Sequence, residues 1–116
     1  MIPCNPGDVV LLPFPFTSLT SSKKRPAVVL SPSEYQGKYG DVVLMALTSQ
    51  TQPDGFLLQK WHEAGLPKPT WVKPVIGTFA SSIIDKRLGC LSPDDWISVR
   101  YALAQVVAPP FFYKPS

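Results

Sequence analysis

The sequence predicts a mainly β, α+β fold: a small, partly open β-barrel with one C-terminal helix packed on the sheet. The first observation is a series of short apolar or β-branched runs, beginning at Asp8-Val9-Val10-Leu11-Leu12, that are too short for typical helices. The second is the content of 14 prolines in 116 residues. Proline cannot donate to a sheet ladder, so it restricts strands to short segments with stiff connections. The third is that one helical pattern stands out, near the C-terminus.

Six strands follow from the apolar runs and the prolines that bound them. They are predicted near residues 8–14, 26–31, 41–47, 55–59, 70–73 and 75–80, with a short extended piece around 83–87. Prolines within 13–15 bend or end the first strand, and Pro26 begins the second. The loop 15–25 is rich in Thr, Ser and Lys and is predicted to be mobile in the free protein. Residues 31–37 are predicted to hold one helical turn, closed by Gly37.

A helix is predicted near residues 93–107. Ser92 is a candidate N-cap, Pro93 occupies the first helical position, and Asp94 and Asp95 lie in the first turn, where the helix dipole favours anions. Apolar residues then fall on one face at helical spacing, so we expect this face to pack on the sheet with Trp96 in the core. The members of this stripe are Trp96, Val99, Leu103, Val106 and Val107.

Length and composition predict one domain over residues 1–116, with a core of its own. No apolar run approaches the ~20 residues that a membrane span needs. The N-terminus has no basic region followed by an apolar segment, so we expect no secretory signal peptide and a cytoplasmic location. Cys4 and Cys90 are isolated in sequence and are expected to be inert thiols rather than a disulfide or metal ligands. The aromatic tail at 111–113 is expected to pack on this chain or on a neighbour.

The basic residues are grouped. The net charge is +3, and Lys23, Lys24 and Arg25 stand together beside the start of the second strand, with Lys86 and Arg87 as a second pair. Such a cluster can contact phosphates without reading a base sequence. The alternative is a solvated, lysine-rich loop, and the charge pattern alone does not decide between them.

Several kinds of chemistry are excluded by the motifs that the sequence lacks. It contains no phosphate-binding glycine loop, no G-x-S-x-G elbow and no H-E-x-x-H motif. His62 is the only histidine, so one chain cannot supply a pair of histidines for acid–base catalysis, and we expect His62 at the surface. The acidic residues are scattered and form no pattern typical of a divalent-metal site. Any nuclease activity is therefore expected to need no metal and no cofactor.

Two polar residues mark the ends of predicted strands. Arg25 lies at the mouth of the second strand, and Thr48 lies at the end of the third. If they meet at one edge of a barrel, a guanidinium and a hydroxyl there would suit a phosphodiester. The alternatives are a loop cation for Arg25 and a turn residue that caps the strand for Thr48.

Four stretches of the sequence also resemble a known family. They are GDVVLLPFPFTSLTSSKKRPAVVLS from Gly7, DVVLMALTSQ from Asp41, Ala64–Val72 and Ser82–Gly89. In this order and spacing they resemble the MazF/PemK-type toxins of toxin–antitoxin pairs, which are sequence-specific endoribonucleases. The likeness runs from about Gly7 to about Val107. Asp85 and the aromatic tail are not matched by it.

The resemblance implies a fold, a reaction and a set of site residues. The fold is the SH3-like barrel of the MazF, PemK and CcdB toxins, and the reaction is metal-independent cleavage of single-stranded RNA through its own 2′-hydroxyl. Arg25 is implied as the principal catalytic cation and Thr48 as its hydroxyl partner. Beside these two residues, Lys23 and Lys24 are expected to hold the RNA backbone, and Ser49 and Gln50 are expected to contact bases. The resemblance also implies a homodimer, a cognate antitoxin and DNA binding through the antitoxin complex. It implies no association with a membrane.

Two other functions remain open for a chain of this fold. One is a toxin that poisons DNA gyrase by binding it, with toxicity that depends on the C-terminal helix rather than on Arg25. The other is an RNA-binding barrel without activity. A ribonuclease assay without metal, with Arg25→Ala as control, distinguishes the three.

Overall fold

The structure is a computed structural model that describes residues 2–14, 23–53 and 55–108. In chain order, the elements are β1 (Asp8–Leu12), β2 (Arg25–Val29), α1 (Ser33–Tyr39), β3 (Asp41–Thr48), β4 (Trp71–Ala80), a 3-10 turn (Ser81–Ile83), β5 (Lys86–Cys90) and α2 (Pro93–Val106). Most of the loop predicted at 15–25, namely residues 15–22, and the aromatic tail at 111–113 lie outside these ranges, while residue 25 begins β2.

The five strands form one antiparallel sheet in the order β4-β3-β2-β1-β5. Among the described residues, β4 and β5 form the two edges and do not pair with each other, so the sheet is not closed. This confirms the predicted α+β fold with an open, barrel-like sheet and a C-terminal helix. The first three strands lie where the sequence predicts them, with ends that differ by no more than two residues. β1 ends at Leu12 because Pro13, which follows it, has no N–H to donate.

The predicted strand at 55–59 is wrong. Leu57 forms only an isolated bridge to Trp71 at the start of β4. The N–H of Leu58 still donates to the carbonyl oxygen of Thr70 at 2.9 Å, but those of Gln59 and Lys60 donate to the side chain of Asp95 instead of to a neighbouring strand. The ladder therefore stops after one bridge, although the apolar pattern of this segment resembles that of a strand.

The two predicted strands at 70–73 and 75–80 are one strand, β4, which continues through Pro74. Pro74 is tolerated because β4 lies at the edge of the sheet and because the register shifts here. Met45 of β3 pairs with Ile76, whereas Leu47 pairs with Val72, so β4 contains an irregularity around the proline.

Two shorter predictions are corrected in their limits. The extended piece predicted at 83–87 begins later, since residues 81–83 form the 3-10 turn and β5 starts at Lys86. The helical turn predicted at 31–37 is the two-turn helix α1, and Gly37 lies inside it. Gly40 ends this helix with a left-handed backbone (φ 71°), and its N–H donates to the carbonyl oxygen of Gln36 at 2.8 Å.

The sheet separates two apolar clusters by the alternation of its side chains. Val9, Val28 and Met45 belong to one cluster, and their neighbours Val10 and Ala27 belong to the other. α2 packs on the first cluster. Since both clusters are formed by the same central strands, the ends of those strands are held in fixed positions.

The predicted cap of α2 is confirmed, and its predicted apolar face is confirmed in part. The Ser92 hydroxyl accepts a hydrogen bond from the backbone N–H of Asp95 at 3.2 Å. Val99 is fully buried, and Trp96 is partly buried against the same cluster. Val106 is 51% exposed because the last turn of α2 extends beyond the first apolar cluster, on which the helix packs. Val107 lies just after the end of the helix.

Other predictions concern single residues. Cys4 is buried, Cys90 is exposed, and both are free thiols. His62 is exposed, as predicted. None of the helices in the described part of the chain has the length and apolar character required to cross a membrane.

A buried carboxylate joins α2 to the connection before β4. Asp95 is 1% exposed, and its two oxygens accept hydrogen bonds from the backbone N–H groups of Gln59 and Lys60 at 2.8 and 2.9 Å. Asp94, its neighbour in the first helical turn, is exposed. The sequence predicts both residues as first-turn acids that the helix dipole favours, but only Asp95 also fixes the path of a loop.

We therefore expect Asp95→Ala to lower the free energy of unfolding by about 2–4 kcal/mol, since it leaves two N–H groups without their charged acceptor. Asp94→Ala is the matched control and should cost less than about 1 kcal/mol, because it removes only an exposed charge near the helix N-terminus. Urea denaturation of the two variants measures the difference. Equal stability of the two variants would contradict this role of Asp95.

Candidate nucleic-acid interface

The antiparallel pairing of β2 with β3 places Arg25 and Thr48 at the same end of these two central strands. The outermost pair of this ladder joins Ala27 to Ala46. Beyond that pair, β2 has two further residues, which end at Arg25, and β3 has two further residues, which end at Thr48. The two residues therefore lie at adjoining strand ends, as the sequence analysis requires for a common site.

A cleft of about 290 Å³ opens at these strand ends. Its polar and charged lining residues are Lys23, Lys24, Arg25, Thr48, Ser49, Gln50, Lys68 and Thr70. Its apolar lining residues are Leu11, Pro26, Leu47, Leu66, Pro67 and Leu88. None of the described lining residues is acidic, so the cleft combines positive charge with an apolar surface.

All six residues that the sequence analysis nominated line this one cleft. Lys23, Lys24 and Arg25 come from the start of β2 and the chain before it, and Thr48 with its two successors comes from the end of β3. The structure thus brings together residues from two separate strands. Their roles in binding or catalysis are treated below as proposals.

Thr48 is held in a defined orientation. Its side chain lies at a position that is 7% exposed, and its hydroxyl oxygen accepts a hydrogen bond from the backbone N–H of Gln50 at 3.1 Å. This is the turn-forming role that the sequence left open for this threonine. A hydroxyl has two lone pairs and one proton, so accepting this bond still leaves it able to donate one. The turn and a contact with a ligand are therefore compatible.

Lys24 forms an ion pair at the rim of the cleft. Its ammonium nitrogen lies 2.8 Å from a carboxylate oxygen of Asp85, and the two side chains are 51% and 39% exposed. The hydrogen bond from Lys24, together with the positive charges of Lys24 and Lys86, lowers the pKa of Asp85. The carboxylate is therefore ionised at neutral pH. Asp85 itself is not among the lining residues of the cleft.

The second basic pair of the sequence lies on β5, outside the cleft lining. Arg87 contacts the buried carboxylate of Asp8 at 3.2 Å, and the other oxygen of that carboxylate accepts the backbone N–H of Asn5. The ion pair between Arg87 and Asp8 therefore fixes the chain before β1 against β5. Lys86 and Arg87 do not line the cleft with Lys23, Lys24 and Arg25.

The opposite wall of the cleft was not predicted from the sequence. It is formed by Leu66, Pro67, Lys68 and Thr70, from the connection before β4. This wall is placed by a close approach between two backbones at Gly65. Its φ is +85°, and a Cβ atom built there would lie 2.2 Å from the carbonyl oxygen of Leu88 on β5. Only glycine permits both the backbone conformation and the approach.

The chemistry available in this cleft favours an anionic, partly apolar ligand. The cations and the Arg25 fork suit phosphate oxygens, hydroxyl and amide groups suit the edges of bases, and the leucine and proline side chains suit base faces. Within the described ranges, no group of three or more His, Cys, Asp or Glu side chains could hold a metal ion. A single-stranded nucleic acid has the combination of charge and flat apolar surface that this lining matches.

Comparison with known proteins agrees with this fold. The sequence pattern of the PemK-like, MazF-like toxins of type II toxin–antitoxin systems matches residues 5–107. Among curated proteins, no significant match to this sequence exists.

Solved structures of the same fold are similar over nearly their whole length. MazF from Deinococcus radiodurans is 23% identical, with a TM-score of 0.76 over 93% of this chain and 99% of its own. A chain of MazE–MazF from the same organism has a TM-score of 0.73 at 23% identity, over 92% and 98%. An endoribonuclease in complex with its cognate antitoxin from a mycobacterial species has a TM-score of 0.67 at 20% identity, over 97% and 100%. At these identities, the likeness establishes the fold.

The position of the second wall can be tested at Gly65. We expect Gly65→Ala to lower the free energy of unfolding by more than about 2 kcal/mol, because alanine is strained at this φ and its Cβ would collide with Leu88. In the control Gly37→Ala, the new methyl group meets open space inside α1, and stability should rise by about 0.5–1 kcal/mol. Urea denaturation measures both. If Gly65→Ala were as stable as the unchanged chain, the close approach would not hold this wall.

Proposed function

Because the chain belongs to the family of PemK-like, MazF-like toxins of type II toxin–antitoxin systems, we propose that it is a sequence-specific endoribonuclease that cleaves single-stranded RNA without a metal ion. The observation that carries this proposal is the common cleft of Arg25 and Thr48 at the adjoining ends of β2 and β3. It offers a guanidinium and a hydroxyl to one phosphodiester.

The proposed reaction uses the substrate's own nucleophile. The 2′-hydroxyl oxygen attacks the adjacent phosphorus and loses its proton, a bond to the 2′-oxygen forms, and the bond from phosphorus to the 5′-oxygen breaks. The 5′-oxygen takes up a proton. The products are a 2′,3′-cyclic phosphate and a 5′-hydroxyl. The protein must hold the reacting atoms in line and stabilise the charge that develops on the phosphoryl oxygens.

Arg25 suits this charge better than any other cleft residue. Its planar guanidinium can donate to two phosphoryl oxygens at once, a geometry that lysine cannot match. Arginine stays protonated in proteins, so we assign Arg25 to electrostatic stabilisation rather than to proton transfer. Thr48, oriented by the N–H of Gln50, donates to the phosphate or holds the 2′-hydroxyl in place.

The remaining cleft residues are proposed to bind the rest of the RNA. Lys23 and Lys24 contact backbone phosphates on one side, and Lys68, which the sequence did not suggest, contacts them on the other. Ser49 and Gln50 are exposed beside Thr48 and can form hydrogen bonds with base edges.

The assembly proposed for this toxin is a cytoplasmic homodimer that a cognate antitoxin inhibits. The complex of a mycobacterial endoribonuclease with its antitoxin supports the partner class, and the positive charge of the cleft fits an acidic antitoxin segment that competes with RNA. DNA binding is proposed only for the antitoxin complex, through the antitoxin.

The first prediction concerns the two residues at the strand ends. We expect Arg25→Ala to lower the cleavage rate by about 10²–10³-fold, as the loss of one preorganised electrostatic donor does. Arg25→Lys should recover only part of this loss. Thr48→Ala should also reduce the rate severely, whereas Thr48→Ser should keep much of the activity because the hydroxyl remains. Single-turnover cleavage of single-stranded RNA measures these rates.

Full activity of Arg25→Ala would contradict the assignment of Arg25. If the unchanged chain cut no RNA and its toxicity depended on α2, a gyrase-binding toxin would be the better description. Binding of RNA without cleavage by the unchanged chain would indicate an inactive RNA-binding barrel.

The second prediction concerns metal ions. Cleavage should continue in excess chelator and leave a 2′,3′-cyclic phosphate at the 3′ end of the upstream fragment, since the proposed groups supply all the charge stabilisation. Analysis of the end groups by mass spectrometry, with and without chelator, tests this. Loss of cleavage in chelator with recovery on addition of magnesium would contradict the mechanism.

A further inference from the structure

One cation of the proposed RNA cleft already has an anionic partner. Lys24 lines the cleft, and its ammonium group lies 2.8 Å from the carboxylate of Asp85, which stands outside the lining. A phosphate can therefore bind the Lys24 ammonium group only in competition with the Asp85 carboxylate. The resemblance to known toxins does not account for Asp85, and the proposed mechanism does not use it.

Asp85 is held firmly by its backbone. Its N–H donates to the carbonyl oxygen of Leu11 on β1 at 2.8 Å, and the preceding residue, Ile84, is buried in the second apolar cluster. Ser81 fixes the turn before it through two contacts with the carbonyl oxygen of Gly40. The backbone that carries the Asp85 carboxylate, just before β5, is therefore fixed. Lys24, in contrast, has a long, flexible side chain.

We propose that Asp85 is an internal competitor of RNA phosphate for Lys24, so that RNA binding displaces this carboxylate and the carboxylate limits the affinity of the cleft for RNA. The inference rests on the proposed function, because it takes the RNA backbone as the ligand of Lys24. Asp85 acts through Lys24 and is therefore a residue that sets affinity, not a catalytic residue.

The exposure of the pair makes this exchange feasible. Both side chains are accessible to water, and ion pairs of this kind contribute little to stability. The pair between Arg87 and Asp8 differs, since Asp8 is 5% exposed and also accepts the N–H of Asn5. Separating that pair would leave a buried carboxylate with less compensation. The geometry thus distinguishes an exchangeable pair at the cleft from a structural pair beside it.

Competition by Asp85 has a signature in the salt dependence of binding. Salt screens the exposed ion pair between Lys24 and Asp85, so the competition from the carboxylate is strongest at low salt and weakens as the salt concentration rises. The affinity of the unchanged chain for RNA is therefore reduced most at low salt, which makes its slope of log K against log salt shallower. In Asp85→Asn this reduction is absent, and the slope should become steeper by up to about 0.7, the value for one phosphate of a single strand.

The test measures binding of a fluorescent, random-sequence 2′-O-methyl RNA oligonucleotide by anisotropy between about 50 and 200 mM salt. This probe has no 2′-hydroxyl, so binding is separated from cleavage. Asp85→Asn should bind about two- to fivefold more tightly at the lowest salt, the effect of one surface ion pair. Glu34→Gln is the control, because it makes the same change in net charge on α1, at the opposite end of the sheet from the cleft. It should leave affinity and slope close to those of the unchanged chain.

A double-mutant cycle separates competition from simple repulsion. If Asp85 acts through Lys24, the gain from Asp85→Asn should disappear when Lys24→Met is already present. A gain of equal size in both backgrounds would show that the carboxylate repels RNA directly, and this would overturn the proposal.

Failure of this inference can be told apart from failure of the proposed function. If the unchanged chain binds the oligonucleotide and cleaves RNA, but Asp85→Asn has the same affinity and slope, the inference is wrong and the proposed function stands. If the oligonucleotide binds as expected and Asp85→Asn shows the predicted gain while RNA is not cleaved, the inference stands and the nuclease activity is refuted. Absence of binding by the unchanged chain would overturn the inference, and absence of cleavage as well would overturn the proposed function.

Discussion

The antiparallel ladder between β2 and β3 is the constraint on which the cleft depends. Both strands are central in the sheet and are buried on both faces, so their register cannot slip without moving apolar side chains out of the two clusters. That register places Arg25 and Thr48 at adjoining strand ends, although a helix and most of two strands separate them in sequence. A flexible cation and a small hydroxyl thus acquire a fixed relationship from apolar packing elsewhere in the sheet.

The second wall of the cleft depends on a different kind of contact. It comes from a connection without regular structure. The buried side chains of Leu58, Ala64 and Leu66 pack in the first apolar cluster, and polar and backbone contacts fix its chain path where a strand would have a ladder. Asp95 fixes the beginning of this connection by accepting two backbone N–H groups, and Gly65 fixes its middle by close approach to Leu88. The cleft is therefore formed between the ends of two sheet strands and a loop that is fixed to α2 through Asp95 and to β5 through Gly65. Changes at these points should alter the shape of the cleft without touching its charged residues.

The parts of the fold that could be predicted from sequence are those with local signals. The first three strands, and the Ser92 cap followed by Pro93, are specified by residues that are adjacent in the chain. The second wall could not be predicted, because no local pattern reveals that Gly65 meets Leu88 or that Asp95 is buried while its neighbour is exposed. The irregularity at Pro74 was missed for a related reason: proline usually ends a strand, and only the edge position of β4 permits it here. Arg25 and Thr48 were nominated for the site because the motifs that contain them resemble those of the toxin family, and the other four residues because they lie beside these two. Lys68 on the loop wall has no such signal.

The central claim is that the cleft at the ends of β2 and β3 is the surface that binds RNA. The most direct test is a titration of the isotope-labelled protein with the 2′-O-methyl RNA oligonucleotide, followed through its backbone amide resonances. The account predicts that the largest shifts occur at Arg25, at Thr48 to Gln50 and at Leu66 and Lys68, which come from both walls of the cleft, while the amides of α1 stay unchanged. Shifts concentrated on α1 or on the exposed face of α2, with the cleft residues unmoved, would contradict it.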